Sequence, residues 1–491
     1  MNHLTVLIPV PLLFAAFIVP LAGLLHKGLV PAVALLGAGI SAAASAAGLW
    51  TVLHQGTLRY HLGGWAPPLG IEYVLDPLAA FMAVVVTGSG FFSLVYFTPA
   101  LRHEVPDRFV IAHALALLFL AGLCGIIVTG DLFNLFVFLE IASLSAYALV
   151  AVGDKQAPVA ALRYLILGSL AGSFYVLGVG FLYFVTGSLN MTDVAERLVP
   201  LYHSRAVIAA ALLIGLAMAL KMALFPFHMW LPDAYTYASS AVAALIAPVA
   251  TKVAAYVMVR VFLGVYHPAF AIDRLALLPI ISWLAAVGII YGSVMAVAQT
   301  DLRRMLAYSS VSQIAYVGLG IGMANPLGLI GALLHVVNHA VMKACLFFVA
   351  GSVRMRTGQV QIQHLTGLAR KMPWSMAAFT VAALSMIGIP PAAGFFSKWY
   401  LLLGALEVAN PWFVAVILLS SLLNAVYFFR VLENLYAKPS GEQTAISRAD
   451  APVAMLAPTL IMAAGLIVLG LANSAIVTHL LAPIAKSIYG R

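Results

Sequence analysis

Long apolar stretches separated by short polar connections recur along the whole chain. About 14 of them reach the roughly 20 residues that a helix needs to cross a bilayer. The predicted spans are residues 4–26, 28–53, 73–99, 108–129, 131–152, 157–187, 205–231, 239–265, 276–298, 303–323, 326–353, 375–404, 410–436 and 452–482. No connection is long enough for a soluble domain. The pattern predicts an all-α polytopic membrane protein with a single membrane domain, residues 1–491.

The composition supports this class. Of the 491 residues, 64% are hydrophobic and only 8% are charged, whereas a soluble protein carries about 25% charged residues. So few charges cannot solvate a water-facing surface, and lipid must cover most of it. The low charge content therefore excludes a soluble enzyme and a disordered protein. A nucleic-acid binder is excluded as well, because the net charge of +9 is not gathered in one basic stripe.

The basic residues predict the orientation of the chain. The connections on the side of the termini carry seven: Arg59, Arg197, Arg205, Arg260, Arg274, Lys486 and Arg491. The other side carries fourteen: Lys27, Arg102, Arg108, Lys155, Arg163, Arg303, Arg304, Arg354, Arg356, Arg370, Lys371, Arg430, Lys438 and Arg448. Because cytoplasmic connections are enriched in Lys and Arg, we expect both termini on the outer face of the cell (inner) membrane.

Four of the 25 basic residues remain, all within predicted spans and all lysine: Lys221, Lys252, Lys343 and Lys398. An ionisable residue at membrane depth is costly, about 2.5–3.5 kcal/mol on insertion scales, and therefore a functional candidate. Lysine can release its proton in a buried site, whereas arginine stays charged. Four lysines without an arginine are what a proton path needs.

Glu140 is the acidic candidate in the same region. A buried carboxylate needs a cation, and we expect that cation to be Lys221. Moving the two groups apart would favour deprotonation of the lysine, so the pair would act as a switch. The alternative is a static ion pair that only fixes helix packing. His228 and Asp233 follow Lys221 closely, the second as a helix cap, and are secondary candidates.

Prolines interrupt the spans that carry Lys221 and Lys398, which predicts a broken helix in each half of the chain. These prolines are Pro226 and Pro232 in the first half and Pro390 and Pro391 in the second. Broken helices at corresponding positions indicate internal repeats with ion sites at the breaks. We expect one repeat at residues 108–265 and the other at 276–436.

His335, His339 and Lys343 are spaced four residues apart and share one helix face. Histidine titrates near neutral pH and can relay protons, with packed, hydrogen-bonded histidines as the alternative. We expect Lys252 to bridge Lys221 to this helix, rather than to snorkel to the interface. The two cysteines are isolated, and neither a metal-ligand nor a nucleotide-binding spacing appears, so we predict no metal and no cofactor.

Six segments together resemble the antiporter-like membrane subunits shared by respiratory complex I, membrane-bound hydrogenases and Mrp-type Na+/H+ antiporters. They are FNLFVFLEI, LKMALFPFHMWLPDA, ALIAPVATKVAAYVMVR, DLRRMLAYSSVSQIAYVGLG, HVVNHAVMKACLFFVAGSV and GIPPAAGFFSKWYLLLGA. The resemblance implies 14 helices with two inverted five-helix repeats, each with a broken helix, and a role for the chain within a larger membrane complex. Some members of the family have glutamate where this chain has Lys398.

The segment GGWAPPLGIEYVLDPLAAF, residues 63–81, is similar to the D-type component of the Mrp antiporters. The resemblance therefore favours the proton-translocating D-type component of a monovalent cation (Na+)/H+ antiporter. One alternative is a proton-pumping subunit of a complex I-like oxidoreductase or hydrogenase, and another is a structural scaffold. No catalytic or redox site is predicted in the chain itself. The implied partners are other membrane subunits, protons, Na+ and lipid, and no nucleic acid.

Overall fold

The computed structural model describes residues 2–438 and 449–490. Two residues of the charge count, Arg448 and Arg491, lie outside this range. Within it the chain forms twenty α-helices and one two-stranded antiparallel sheet. The predicted fold class is confirmed, because helices account for nearly all of the regular structure.

The helices of the first half alternate long spans with short surface elements. They are α1 (Val10–Leu25), α2 (Leu29–Gln55), α3 (Pro77–Glu104), α4 (Phe109–Val128), α5 (Leu132–Ala151), α6 (Ala157–Thr186), α7 (Met191–Leu198), α8 (Arg205–Met222), α9 (Trp230–Tyr237) and α10 (Ser240–Arg260). The strands are β1 (Leu58–His61) and β2 (Glu72–Leu75). Short 3-10 turns cover Asn2–Thr5, Leu62–Gly64, Pro106–Arg108 and Val199–Leu201, and a π-helical turn, Val261–Val265, extends α10.

The second half continues in the same way. Its helices are α11 (Leu277–Val297), α12 (Leu302–Gly322), α13 (Pro326–Thr357), α14 (Leu368–Lys371), α15 (Pro373–Ile387), α16 (Ala393–Glu407), α17 (Pro411–Tyr436), α18 (Val453–Leu471), α19 (Asn473–Ile476) and α20 (Ala482–Tyr489). π-Helical turns cover Phe270–Arg274 and Val477–Leu481, and a 3-10 turn covers Ile362–Leu365.

Each of the first 13 predicted spans coincides largely with a helix or with a helix pair. Eleven helical segments in the described ranges are long and apolar enough to cross a membrane, and α1 and α15 are shorter apolar helices. The predicted last span, residues 452–482, is instead divided among α18, α19 and a π-helical turn. The protein is thus a multi-pass membrane protein, and the number 14 stays a prediction.

The predicted span 73–99 begins four residues too early. Residues 72–75 form β2, which pairs with β1, and α3 starts only at Pro77. Asp76 caps it, because its side chain accepts a hydrogen bond from the Ala79 N–H at 2.8 Å. The apolar composition of this segment does not distinguish a buried strand from the first turn of a helix.

The two proline-containing spans are discontinuous, as predicted. The first is interrupted between α8 and α9, and the second between α15 and α16. Both interruptions begin with a left-handed residue, Ala223 with φ 57° and Gly388 with φ 97°. A residue in this conformation ends a helix, because the following amides can no longer reach the carbonyls four residues back.

The centre of the molecule is formed by α10 and α13. In their most apolar stretches, 94% and 89% of the residues are buried within the chain, compared with 33% for α17. A helix that is buried on all sides cannot face lipid. Lysines and histidines on these two helices must therefore find their partners inside the protein.

Small residues allow α11 and α12 to pack closely, and we expect Gly292→Ala to destabilise this pair. An alanine Cβ atom there would lie 2.6 Å from the backbone nitrogen of Ser312, which cannot move independently. Overpacking of this kind costs about 1–3 kcal/mol. The measurement is thermal unfolding in detergent, in which Gly292→Ala should unfold at a lower midpoint temperature than the wild type. The control is Gly180→Ala in α6, where a Cβ atom meets nothing within 4 Å, and equal midpoints for both variants would contradict the prediction.

Candidate functional site

The first of the four lysines, Lys221, is half-buried and lies in the last turn of α8, directly before the break. The Lys221 ammonium donates to the Ser143 hydroxyl at 2.6 Å and to the Tyr147 hydroxyl at 3.2 Å. A small cavity of about 40 Å³ lies beside it, between α8 and α10. Lys221 is therefore held by two neutral groups of α5 and has space next to it.

Glu140 lies on α5, on the same helix face as Ser143 and Tyr147. The expected direct ion pair is not formed in this structure, since the ion pairs within 4 Å among the described residues do not include Glu140 and Lys221. One Glu140 carboxylate oxygen packs against Gly172 of α6, where an added Cβ atom would be 2.4 Å away, and it has no hydrogen-bond partner. The direct pair is thus corrected to a separated arrangement in which Ser143 and Tyr147 bind the lysine.

Lys252 is completely buried in the middle of α10. Its ammonium donates to the carbonyl oxygen of Ala247 at 2.7 Å, and no carboxylate lies within ion-pair distance of it in the described ranges. A lysine that snorkels to an interface keeps its ammonium in water, so Lys252 does not snorkel. Its position between the cavity beside Lys221 and α13 agrees with a bridging role, which stays a prediction.

The three candidates on α13 are fully buried and lie in one row. His335 and His339 have ring centroids 5.9 Å apart. The Nδ1 atom of His335 is 2.9 Å from the Ser397 hydroxyl, whereas neither nitrogen of His339 has a protein partner. The Lys343 ammonium donates to the Leu306 carbonyl oxygen at 2.8 Å and to the Ser309 hydroxyl at 2.5 Å.

Lys398 lies on α16, just beyond the second break. Its ammonium donates to the carbonyl oxygens of Met386 and Ile387, at 2.8 and 3.0 Å, and to the Ser421 hydroxyl at 3.3 Å. The two carbonyls belong to the end of α15, where a cation is favoured by the helix dipole. The residue is 6% exposed, so it faces the unwound backbone and does not reach the membrane surface.

The secondary candidate His228 is buried in the first break and forms no hydrogen bond to any of the lysines. Its ring stacks on Phe225 at 5.6 Å and tilts against Tyr291 at 4.8 Å. The Nδ1 atom has no partner. The structure thus places His228 in an aromatic pocket.

The predicted capping role of Asp233 is wrong. Asp233 lies in the fourth position of α9. The N-cap residue of that helix is Met229, and no side chain caps the helix. The Asp233 carboxylate instead forms ion pairs with Arg163 at 2.5 Å and with Arg304 at 3.2 Å. These arginines come from α6 and α12, which no local sequence pattern joins to α9.

Residue-by-residue inspection for charge misses the neutral groups that hold the lysines. They are Ser143, Tyr147, Ser309 and Ser421, to which Ser397 adds a contact with His335. Helical spacing could have found two of them, because Ser143 and Tyr147 follow Glu140 by three and seven residues. The others come from helices far along the chain, and only their packing reveals them.

A further missed residue is Gln313 on α12, whose side chain is fully buried with no partner for either its oxygen or its nitrogen. Two neighbours on its helix locate it. Ser309 contacts Lys343, and the Tyr316 ring lies 5.5 Å from His335. Since α12 and α13 run antiparallel, Gln313 lies at the level of His339, whose nitrogens are also unpartnered.

We expect Gln313→Leu to slow proton transport about tenfold or more, because it removes the buried amide that lies between the levels of Lys343 and His335. Leucine has nearly the same volume and leaves no unsatisfied amide, so assembly should persist. Proton flux in membrane vesicles checks the rate, with Gln299→Leu, a half-buried residue just after α11, as the control. Normal flux in Gln313→Leu would contradict a role in the path.

Taken together, Lys221, Lys252, the α13 row and Lys398 lie inside a bundle of membrane helices, and the four lysines and His335 are bound by neutral groups. None of the five residues on α10, α13 and α16 faces the outer surface of the chain. Within the described ranges, no three His, Cys, Asp or Glu side chains converge as a metal-ligand set. The class defined by this fold and site is an antiporter-like membrane subunit.

Comparisons with known proteins agree with this class. The family described as NADH:quinone oxidoreductase/Mrp antiporter, TM, matches residues 129–424. NADH-quinone oxidoreductase subunit N of Desulforudis audaxviator is 48% identical, over 98% of both chains. The D-type component of the Na(+)/H(+) antiporter of Alkalihalophilus pseudofirmus is 31% identical, over 86% of this chain and 84% of that protein. The chain belongs to the NADH:quinone oxidoreductase/Mrp antiporter family.

The fold comparison extends over the whole chain. A chain of the Mrp complex from Dietzia sp. DQ12-45-1b superimposes with a TM-score of 0.88 at 28% sequence identity, covering 99% of this chain and 97% of that chain. The resemblance noted from the six sequence segments is thereby confirmed.

Proposed function

We propose that the chain is a proton-translocating subunit of a multisubunit membrane complex. Protons pass along Lys221, Lys252, His339, His335 and Lys398, with Lys343 joining the path on α13. The observation that supports this most directly is the series of four lysines within the membrane helices, three of them buried, that are bound only by hydroxyls and carbonyls. A fixed ion pair with a carboxylate would keep each lysine protonated, whereas neutral partners allow a proton to pass from one group to the next.

A purely structural scaffold is less consistent with the same observation. A buried cation without a carboxylate destabilises a fold, and hydrophobic residues of similar size would pack at lower cost. Lys252 has a single neutral acceptor in the described structure. Such a residue would not stabilise a scaffold, but it could accept and release protons in a proton path.

Two driving forces are candidates, and a named relative supports each. Exchange of protons against a monovalent cation such as Na+ follows the relative from the Na(+)/H(+) antiporter, at 31% identity. Redox-driven pumping follows the relative named NADH-quinone oxidoreductase subunit N, at 48% identity. Because the NADH-quinone oxidoreductase relative has the higher identity, the expected assignment to the D-type antiporter component is not preferred over redox-driven pumping.

The order of helices supports two inverted repeats at residues 108–265 and 276–436. Taking each discontinuous pair as one crossing, α4, α5, α6, α8–α9 and α10 form one group of five, and α11, α12, α13, α15–α16 and α17 form another. The fourth crossing is the broken one in both groups. Because five is odd, the second group starts on the opposite side of the membrane, as an inverted repeat requires. The expected orientation, with both termini on the outer face of the cell (inner) membrane, rests on the distribution of basic residues.

Glu140 supports the presence of a partner subunit. It is only half-buried within this chain, and it lies on α5 against the outer helix α6. A carboxylate at membrane depth is seldom exposed to lipid. A neighbouring membrane subunit that covers this edge would shield it.

Inverted membrane vesicles from a strain that expresses the whole complex test the proposal. A pH-sensitive dye would report proton uptake or release after addition of Na+ in one arm and of NADH in the other. A response to Na+ alone identifies cation/proton exchange, and a response to NADH alone identifies redox-driven pumping. The absence of both, with the complex assembled, would overturn the proposed function.

A further inference from the structure

A second polar region lies far from the lysine series, on the side of the membrane that carries most basic residues. It is a cavity of about 260 Å³ where α3, α10 and α13 meet the connection between α5 and α6. Its charged or titratable lining residues are His103, Glu104, Asp154 and Arg354. The lysine series does not use this cavity.

The carboxylate of Glu104 is fixed at the inner end of the cavity. It accepts a hydrogen bond from the Ser240 backbone N–H at 2.7 Å, in the first turn of the helix that carries Lys252. An anion is favoured at this end of a helix. Glu104 is thus held where water from the cavity meets the central helix.

Behind Glu104 lie three hydroxyl groups that are at least 97% buried: those of Tyr96, Ser240 and Ser352. The Tyr96 and Ser352 hydroxyls lie close enough to interact with each other, and none of the three has a further protein partner. They converge because residue 351 is a glycine, where an added Cβ atom would lie 2.2 Å from the Tyr96 hydroxyl and 2.8 Å from the Ser240 Cβ atom. Buried hydroxyls are normally satisfied by protein or by water. Three together next to a cavity mark a hydrated extension of it.

This extension leads toward Lys343. On α13, Lys343, Phe347 and Gly351 follow at four-residue intervals on one face. Phe347 is 2% exposed and separates the hydroxyls from the lysine. An aromatic side chain at such a constriction can interrupt a water chain without blocking it permanently.

An ion pair lies in the wall of the cavity. Arg354 donates to Asp154, and Asp154 also lies 3.8 Å from Arg303 on α12. Arg303 in turn donates to the carbonyl oxygens of Tyr235 and Ala238. The Leu306 carbonyl that binds Lys343 follows Arg303 by three residues, about 4.5 Å of helix rise. A shift of this ion pair is therefore transmitted over a short distance to Lys343.

We propose that this cavity is an aqueous proton inlet to Lys343, with Glu104 as its first carboxylate, the Tyr96, Ser240 and Ser352 hydroxyls as its inner lining, and the Arg354–Asp154 ion pair as its gate. The passage of protons through the cavity rests on the proposed function. The hydration of the cavity does not, and it can be measured by itself.

The first experiment measures hydration in the assembled complex with Ser240→Cys. We expect this thiol to react with a charged, membrane-impermeant methanethiosulfonate added to the Arg-rich side only, with loss of subsequent maleimide labelling. Asp107→Cys, on the exposed connection before α4, is the positive control. The buried native Cys124 and Cys345 give the background. A Ser240→Cys thiol that stays at background while Asp107→Cys reacts would overturn the inlet.

The second experiment measures proton flux. Glu104→Gln keeps an acceptor for the Ser240 N–H but cannot carry a proton, and we expect flux to fall about tenfold or more. Glu104→Asp should recover part of it, and Asp107→Asn is the matched control. Tyr96→Phe removes a hydroxyl of the inner lining and should also slow flux, even if Glu104→Gln fails to assemble. Normal flux in Tyr96→Phe and in assembled Glu104→Gln would overturn the proposal. A wild-type complex without flux would contradict only the proposed function, because thiol labelling still decides whether the cavity is hydrated.

Discussion

Replacing Lys221 with methionine is expected to abolish proton transport while the complex still assembles. The change removes the titratable ammonium but keeps an unbranched side chain that can fill its place. Ser143 and Tyr147 lose a donor, yet both are hydroxyls that can reorient toward the small cavity next to them. Loss of a positioned proton-transfer group lowers a rate by about a hundredfold or more. Dye-reported proton flux in vesicles measures the effect.

Two further variants make this result specific. Lys221→Arg is also expected to fail, because a guanidinium keeps its proton in the useful pH range. Lys155→Met changes an exposed lysine in the connection between α5 and α6 and should leave flux unchanged. Flux at the wild-type rate in Lys221→Met, at equal amounts of assembled complex, would show that the path does not use this residue.

Lys398→Ala is expected to reduce proton transport by a similar factor. The ammonium is the group that binds the Met386 and Ile387 carbonyls at the end of α15, so its removal takes away both a proton carrier and the contact that orders the break. Water can satisfy the carbonyls in the space that the side chain leaves, and the complex should still assemble. A pH-gradient assay in membranes of a strain without the native complex measures the effect.

The substitution Lys398→Glu separates these two roles. Glutamate can carry a proton, and in its protonated form it can donate to one of the carbonyls, so we expect partial activity. The exposed Lys438 provides the control, Lys438→Ala. Wild-type exchange in Lys398→Ala at wild-type expression would contradict a role for Lys398 in the path.

The breaks show how much of the fold can be predicted from local sequence. Proline removes a backbone donor, and Pro226 and Pro390 predicted the two discontinuous spans without knowledge of the tertiary structure. Proline does not break every span, however, since Pro99, Pro248 and Pro458 lie within continuous helices. The β-hairpin could not be found in this way. Its second strand is apolar and borders directly on α3, and its one acidic residue, Glu72, is buried against Arg59 and Asn190 from other segments.

The candidate site divides along the same line. Lys221, Lys252, Lys343 and Lys398 could be selected from sequence because a charge inside an apolar span is costly wherever the helix packs. Their partners could not, since a serine or tyrosine in a membrane helix carries no such cost and is common. The ion pairs of Asp233 illustrate the same limit, because Arg163 and Arg304 approach it from helices far apart in the chain.

The sequence by itself determined the membrane class, the approximate spans, the two breaks and the buried ionisable residues. Each of these depends on hydrophobicity, proline geometry or charge within a single segment. Only the tertiary structure decided that Lys221 binds Ser143 and Tyr147 instead of Glu140, that Gln313 lies at the level of His339, and that Glu104 meets three buried hydroxyls. These contacts join distant segments, and helix packing sets them through side-chain volume and glycine positions that no single segment encodes.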